Sequence, residues 1–222
     1  DIRVNRTDII LINALAAYFQ KNYEQATGDL QRYVQKAPNN MNALKLLVDA
    51  FIQLEQFPNA VRVLEENNAM VMKELPLTVT LCNLYFKLDR GFKCESIIRE
   101  LRVFIEDQST LNLLEVRSLN NRGESRKALK LFEEFFNNVD YPYLRQLHIE
   151  LLLQNGFTSR ARQVMDSEIK RAEGVIGDLP REIYLLNATV LLQERKLEDA
   201  FNQVQNVLKR EPNLSSARFL QA

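Results

Sequence analysis

Apolar positions along the chain recur at helical spacing. Ile10, Ala14 and Ala17 form one stripe and Leu30, Tyr33 and Val34 the next, while Leu44, Leu47, Val48 and Phe51 are followed by Val61 and Leu64. Spacings of i, i+3, i+4 and i+7 gather side chains on one face of a helix, whereas a strand requires alternation. The pattern predicts helices throughout and no strand. A longer period overlies this one. Steps of 34 from Ala26 reach Ala60, Cys94 and Ala128, and further steps of 33 and 39 reach Ala161 and Ala200. Twelve residues before each of these lie Ala14, Val48, Cys82, Val116, Ile149 and Ala188, all small or β-branched. A fixed separation of 12 in six successive units predicts pairs of helices joined by short turns. These two places are where the paired helices cross most closely, since bulkier side chains would hold them apart.

The breakers fit this register. Gly and Pro number only six each. Pro38, Pro58, Pro76, Pro142, Pro180 and Pro212 all fall at expected helix ends or first turns, where a missing N–H and a fixed φ are tolerated. Gly91, Gly123 and Gly156 fall in the turns within pairs, and Gly174 and Gly177 between units. Gly28 alone sits inside an expected helix, at a cost of about 1 kcal/mol unless close packing requires it.

Composition narrows the function classes. With 46% hydrophobic and 26% charged residues, the chain is too apolar for disorder and can bury a substantial core. Lys+Arg and Asp+Glu both number 29, a balance that disfavours a general binder of nucleic acid or anionic membranes. The longest uncharged runs, Ile9 to Gln20 and Leu75 to Phe86, span 12 residues each, short of the roughly 20 needed to cross a bilayer. No direct membrane insertion is expected. The chain begins at Asp1 with no initiator Met and no basic stretch before an apolar one, so it reads as an excised or processed fragment. Cytoplasm and bacterial periplasm both remain open as its compartment, and its oligomeric state is left open.

A helix-turn-helix unit of 34 residues with these small positions resembles the tetratricopeptide repeat, TPR. The first unit carries the pattern at Ile10, Ala14, Ala26, Leu30, Tyr33 and Pro38. The second carries it at Leu44, Leu47, Phe51, Ala60 and Leu64, and the sixth at Tyr184, Ala188, Ala200, Val204, Val207 and Pro212. Units three to five depart from it, with Thr78, Asn112 and Arg145 where a large apolar residue is usual, although Tyr85, Leu119 and Leu152 keep the later apolar contact. About five extra residues near Glu173 to Asp178 imply a longer second helix or a larger loop in unit five. The resemblance implies an all-α chain, a right-handed α-α superhelix (TPR solenoid) forming a single domain over 1–222. Its repeats run over about 7–40, 41–74, 75–108, 109–141, 142–180 and 181–214. Residues 215–222 begin a further helix, an ending that reads as truncation within a longer array.

The resemblance further implies a non-catalytic interaction scaffold, with the first helix of each pair lining a concave groove that takes a peptide or helix of a protein partner. The groove-facing places are Lys45, Asp49 and Gln53 in unit two, Asn83, Phe86 and Lys87 in unit three, and Arg117, Asn120 and Asn121 in unit four. Unit five adds Tyr143, Gln146 and Glu150, and unit six adds Thr189 and Gln193. Such an amide-rich surface suits hydrogen bonding to a peptide better than capture of one strong charge. The carboxylate clamp of chaperone-binding repeats is absent: Asp49 stands where Asn is required, Thr80 replaces the next Asn, and Leu113 and Leu114 lie near the third site. The alternative assignment is a TPR module of a bacterial cell-envelope, exopolysaccharide or protein-sorting system. An RNA-binding helical repeat ranks lower, because it needs a cationic groove.

Chemistry is sparse. His148 falls on the inward side of a first helix and reads as a packed core histidine. Gly174-x-x-Gly177 follows no strand and lacks the Lys and Ser or Thr of a phosphate loop. No enzyme activity, cofactor or metal site is expected, and one His with two Cys cannot close a zinc site without carboxylates. Cys82 and Cys94 occupy the paired close-contact places of one unit, so a disulfide is geometrically conceivable beside the reading of two free thiols serving as small apolar residues.

Overall fold

The computed structural model describes residues 6–106, 108–136, 141–176 and 180–221, with side chains described outside 173–176 and 221. Among them every regular element is a helix, and the helices gather in two compact units, residues 1–121 and 122–222. The first unit holds α1 (Arg6–Phe19), α2 (Tyr23–Lys36), α3 (Met41–Gln53), α4 (Phe57–Glu66), α5 (Asn68–Val71), α6 (Leu75–Lys87), α7 (Lys93–Leu101) and α8 (Gln108–Asn121). The second holds α9 (Ser125–Phe136), α10 (Pro142–Gln154), α11 (Thr158–Ile176), α12 (Arg181–Gln193), α13 (Leu197–Leu208) and α14 (Ser215–Gln221).

Within each unit consecutive helices pack as antiparallel pairs, α1 with α2, α3 with α4, α6 with α7, α10 with α11 and α12 with α13. Each pair then stacks on the next through α2 and α3, α4 and α6, or α11 and α12. Sequence and structure agree on why. Ala14, Ala26, Ala60, Cys82, Cys94, Val116, Ala128, Ile149, Ala161 and Ala188 are all wholly buried, and Val48 and Ala200 nearly so. Around the small residues, Leu30, Leu44, Leu47, Leu64 and Leu81 fill the first unit, and Leu151, Leu152 and Met165 the second. Each such burial contributes about 1.5–3 kcal/mol before the entropy of ordering is subtracted.

The turns share one geometry that residue identity conceals. Lys21, Glu55, Asp89, Gly123, Gly156 and Arg195 all have positive φ, at 60°, 56°, 54°, 78°, 77° and 61°. Each lies five residues before the buried small residue of its second helix. At five of them the helix closes with the paired bonds of a Schellman motif. In the first, Lys21 N donates to Tyr18 O at 2.9 Å and Asn22 N to Ala17 O at 2.9 Å. Glu55 with Gln56, Asp89 with Arg90, Gly156 with Phe157 and Arg195 with Lys196 repeat the arrangement. Only two of these six places carry Gly, the residue that adopts the left-handed region without steric cost. Gly91 answers a different need: a Cβ there would lie 2.3 Å from Asn121 Oδ1, the atom that accepts the Gly91 N–H at 3.0 Å.

The prolines sit as expected, Pro58, Pro76 and Pro142 within the first two positions of α4, α6 and α10, and Pro180 as the N-cap of α12. Gly174 does not lie between units: it falls within α11, whose 19 residues absorb most of the extra length of unit five. Gly177 lies outside the described residues. Gly28 lies in α2, and a Cβ placed on it would meet nothing within 4 Å, so close packing does not require glycine there.

Polar residues at three large-residue places found partners on neighbouring elements. Thr78 is wholly buried and its hydroxyl donates to Val71 O at 2.8 Å. Asn112 accepts from Arg102 at 3.1 Å, and Arg145 forks onto the buried Glu168 of α11, with Nη2 to Oε1 at 3.3 Å. Each substitution of an apolar residue is thus matched by a hydrogen bond that offsets the desolvation cost of a buried polar group.

Candidate functional site

The first-helix residues named from sequence divide between the two units. In the first unit most are engaged by neighbours. Lys45 pairs with Glu74 at 3.2 Å, and Asp49 accepts from the Tyr18 hydroxyl and, at 3.4 Å, from Gln53. That carboxylate also raises the Tyr18 phenol to about 12, chiefly by accepting its hydrogen bond. Phe86 is buried, with the Arg117 guanidinium 5.2 Å over its ring, and Arg117 donates to Asn83 at 2.5 Å. Lys87 lies 4.0 Å over the Phe57 ring. Asn121 is a structural tie, its amide donating to Phe86 O at 3.2 Å while its oxygen holds Gly91 N. Asn120 Oδ1 is buried without a hydrogen-bond partner. These contacts fix the α3, α6 and α8 faces to one another, and a ligand there would have to displace them.

The second unit differs. Between α10 and α12 runs an open groove of about 470 Å³. Gln146, Glu150 and Gln154 form its α10 wall, and Glu182, Thr189 and Gln193 its α12 wall, over a floor of Leu153, Leu185 and Leu186. Four of the five residues named from sequence in these two helices therefore meet at one place. Tyr143 does not line it: its exposed ring stacks on Tyr141, with centroids 6.1 Å apart. The side chains recur because α10 and α12 are first helices of consecutive pairs, so i, i+4, i+7 and i+8 places face the same strip. Sequence reasoning missed Leu153, Gln154, Glu182, Leu185 and Leu186. Their signal was the same periodicity carried one turn further along each helix.

Two carboxylates, Glu150 and Glu182, are among the residues that line the groove. Among the described residues no Lys or Arg lines it. Arg181 holds Glu182 at 2.7 Å and Glu211 at 2.6 Å, so one guanidinium serves two carboxylates. The Arg181 hydrogen bond lowers the Glu182 pKa from its ordinary value. The Thr189 hydroxyl is spent on its own helix, donating to Leu185 O at 3.0 Å.

His148 is a packing residue in this structure. Its ring stacks on Phe132 with centroids 4.9 Å apart, and Nε2 lies 3.6 Å from Glu133, too far for a hydrogen bond. Burial lowers its pKa, with Glu133 opposing the shift. Cys82 and Cys94 are free, buried thiols, and Cys94 Sγ donates to Cys82 O at 3.7 Å. Hydrogen bonding to Cys82, reinforced by burial, raises the Cys94 pKa above the ordinary thiol range and disfavours the reactive thiolate. Among the described residues no group of three or more His, Cys, Asp or Glu stands together as a metal site, and no helix is long and apolar enough to cross a membrane.

No protein-family model matches the chain, and no curated protein is significantly similar to it in sequence. Solved structures share its fold over nearly its whole length. A tetratricopeptide repeat protein from Parabacteroides merdae is 12% identical, with 97% of each chain covered and a TM-score of 0.59. PilW, a type IV pilus biogenesis factor, is 13% identical over 98% of this chain and all of its own, with a TM-score of 0.67. At such identities the likeness is one of fold. Helix pairs of 34-residue period, their wholly buried small residues and these two structures lead to one conclusion: the chain has the tetratricopeptide repeat fold.

Proposed function

We propose that this chain is a non-catalytic interaction scaffold that holds a short segment of a partner protein in the groove between α10 and α12. One observation carries the reading. A groove of about 470 Å³ combines an apolar floor with a rim of amides and carboxylates, and its lining comes from the matching faces of two consecutive first helices. An apolar floor supplies affinity, and the rim amides of Gln146, Gln154 and Gln193 can pair with a peptide backbone, which otherwise loses water without recompense. In the first unit, Lys45, Asp49, Phe86, Lys87 and Arg117 have internal partners that a ligand would have to displace.

A displayed library of random peptides, selected on the whole chain, tests the reading. Binders should be recovered, and Thr189→Trp should abolish their binding by filling the groove without changing its charge. Thr189 is suited to this because its hydroxyl serves only its own helix. Binders that ignore Thr189→Trp, while circular dichroism shows the variant folded, would refute the groove as the binding face.

A further inference from the structure

We infer that Asn155–Gly156 is a self-modification site at the joint between α10 and α9. When the last turn of α10 opens, the Gly156 nitrogen displaces the Asn155 amide nitrogen, and the aspartate or isoaspartate left behind cannot refasten the two helices. The inference is independent of the groove reading. Asn155–Gly156 is the only Asn-Gly pair in the 222 residues. Asn155 is the C-cap of α10, and its side-chain amide donates twice, to Leu151 O of its own helix at 2.7 Å and to Ser125 O at the start of α9 at 3.0 Å. Turn closure does not account for the pair, because the equivalent turns at Lys21, Glu55, Asp89 and Arg195 close with other residues. What Asn155 adds is the clasp onto Ser125.

An asparagine followed by glycine is prone to this reaction because the glycine nitrogen, with no Cβ beside it, approaches the side-chain carbonyl without steric hindrance. Hydroxide takes the Gly156 N–H proton, the nitrogen bonds to Asn155 Cγ, and the Cγ–Nδ2 bond breaks. Nδ2 leaves as ammonia with a proton from water, and a second water opens the cyclic imide at either carbonyl. The net change consumes water and releases ammonia. In the closed turn the first step is blocked in two ways. Gly156 N donates to Leu153 O at 3.0 Å, and a ψ of 3° at Asn155 turns that nitrogen away from the Asn155 side chain. Reaction therefore waits for the helix end to open, an event that costs less than global unfolding. Its consequence runs one way. An ionised carboxylate only accepts hydrogen bonds, so at position 155 it faces the oxygens of Leu151 and Ser125 where the amide had donated to both.

The whole chain, held in mildly alkaline buffer with and without urea, tests this. Trypsin releases Gln146–Arg160, in which Asn155 is the single asparagine, and mass spectrometry distinguishes its amide from the acid. Conversion should be at least about tenfold slower in the folded chain than in urea, because only the opened fraction reacts. Chain converted in urea and returned to buffer should then unfold at a lower urea midpoint than unconverted chain treated alike. Asn155→Asp, made directly, should likewise unfold below the parent, and below Asn155→Ala, which removes the clasp without adding a charge. An Asp variant too unstable to show a midpoint, beside a folded Asn155→Ala, gives the same expected order. Equal conversion with and without urea, no conversion in urea, or an Asn155→Asp midpoint equal to the parent's would overturn the inference.

Discussion

Glu194→Gln removes one charge from the contact between α11 and α12 while keeping its shape. Arg162 of α11 grips both oxygens of Glu194, at 2.9 and 2.8 Å, and also donates to Asn187 at 2.9 Å. The two charged side chains are only 20% and 15% exposed. This grip, chiefly the Arg162 hydrogen bonds, holds the Glu194 carboxyl at about 2 against an ordinary 4.5. At roughly 1.4 kcal/mol per pH unit the difference amounts to about 3 kcal/mol. Residual exposure and the neighbouring Lys196, 3.1 Å away, reduce the share assignable to Arg162 to about 2 kcal/mol. The folded carboxyl titrates below the unfolded one, so its contribution is fully present above about pH 4.5 and is lost as pH falls through about 2. Urea unfolding should therefore find Glu194→Gln less stable than the parent by about 2 kcal/mol at pH 7, with the gap shrinking to less than half by pH 3. Arg162→Ala should cost more, because it also strands the buried oxygen of Asn187. Equal midpoints at pH 7, or a gap that does not change with pH, would refute the electrostatic account.

Three further outcomes follow from the helices themselves. Gly28→Ala should raise stability by about 1 kcal/mol, seen as a higher melting temperature, because a Cβ there meets nothing within 4 Å. Ala26→Leu should destabilise by about 1–3 kcal/mol in urea titration, because the wholly buried Ala26 leaves no room between α1 and α2. His148 has a folded pKa below its ordinary value through burial, so it stabilises when neutral and costs stability as pH falls through 6.5 and below. Glu133 of α9 and Arg160 of α11 face it, at 3.6 Å and through the Glu133 pair respectively, and His148→Gln should flatten the pH dependence of melting between pH 7 and 5.

What was legible in the sequence follows from how tightly each feature constrains residue type. Where two helices cross, only small side chains fit, so Ala26, Ala60, Cys94 and their partners wrote the 34-residue register into the chain. The left-handed turn position left no such mark. Lys21, Glu55, Asp89 and Arg195 tolerate it at a cost of about 1 kcal/mol, and four residue types cannot signal one backbone state. Thr78, Asn112 and Arg145 were visible as departures, but their partners, Val71 O, Arg102 and Glu168, lie 7, 10 and 23 residues away and emerge only on folding. The site divides in the same way. Gln146, Glu150, Thr189 and Gln193 were legible from repeat position, whereas stacking decides that Phe86 is covered and that Leu185 and Leu186 floor an open groove.

The central claim is that the α10–α12 groove is the binding face. A peptide recovered by selection on the whole chain, carrying a photoreactive side chain, should crosslink to Gln146–Gln154 and Glu182–Gln193 when adducts are mapped by mass spectrometry. Adducts confined to α11, to α13 or to the first unit would contradict the account.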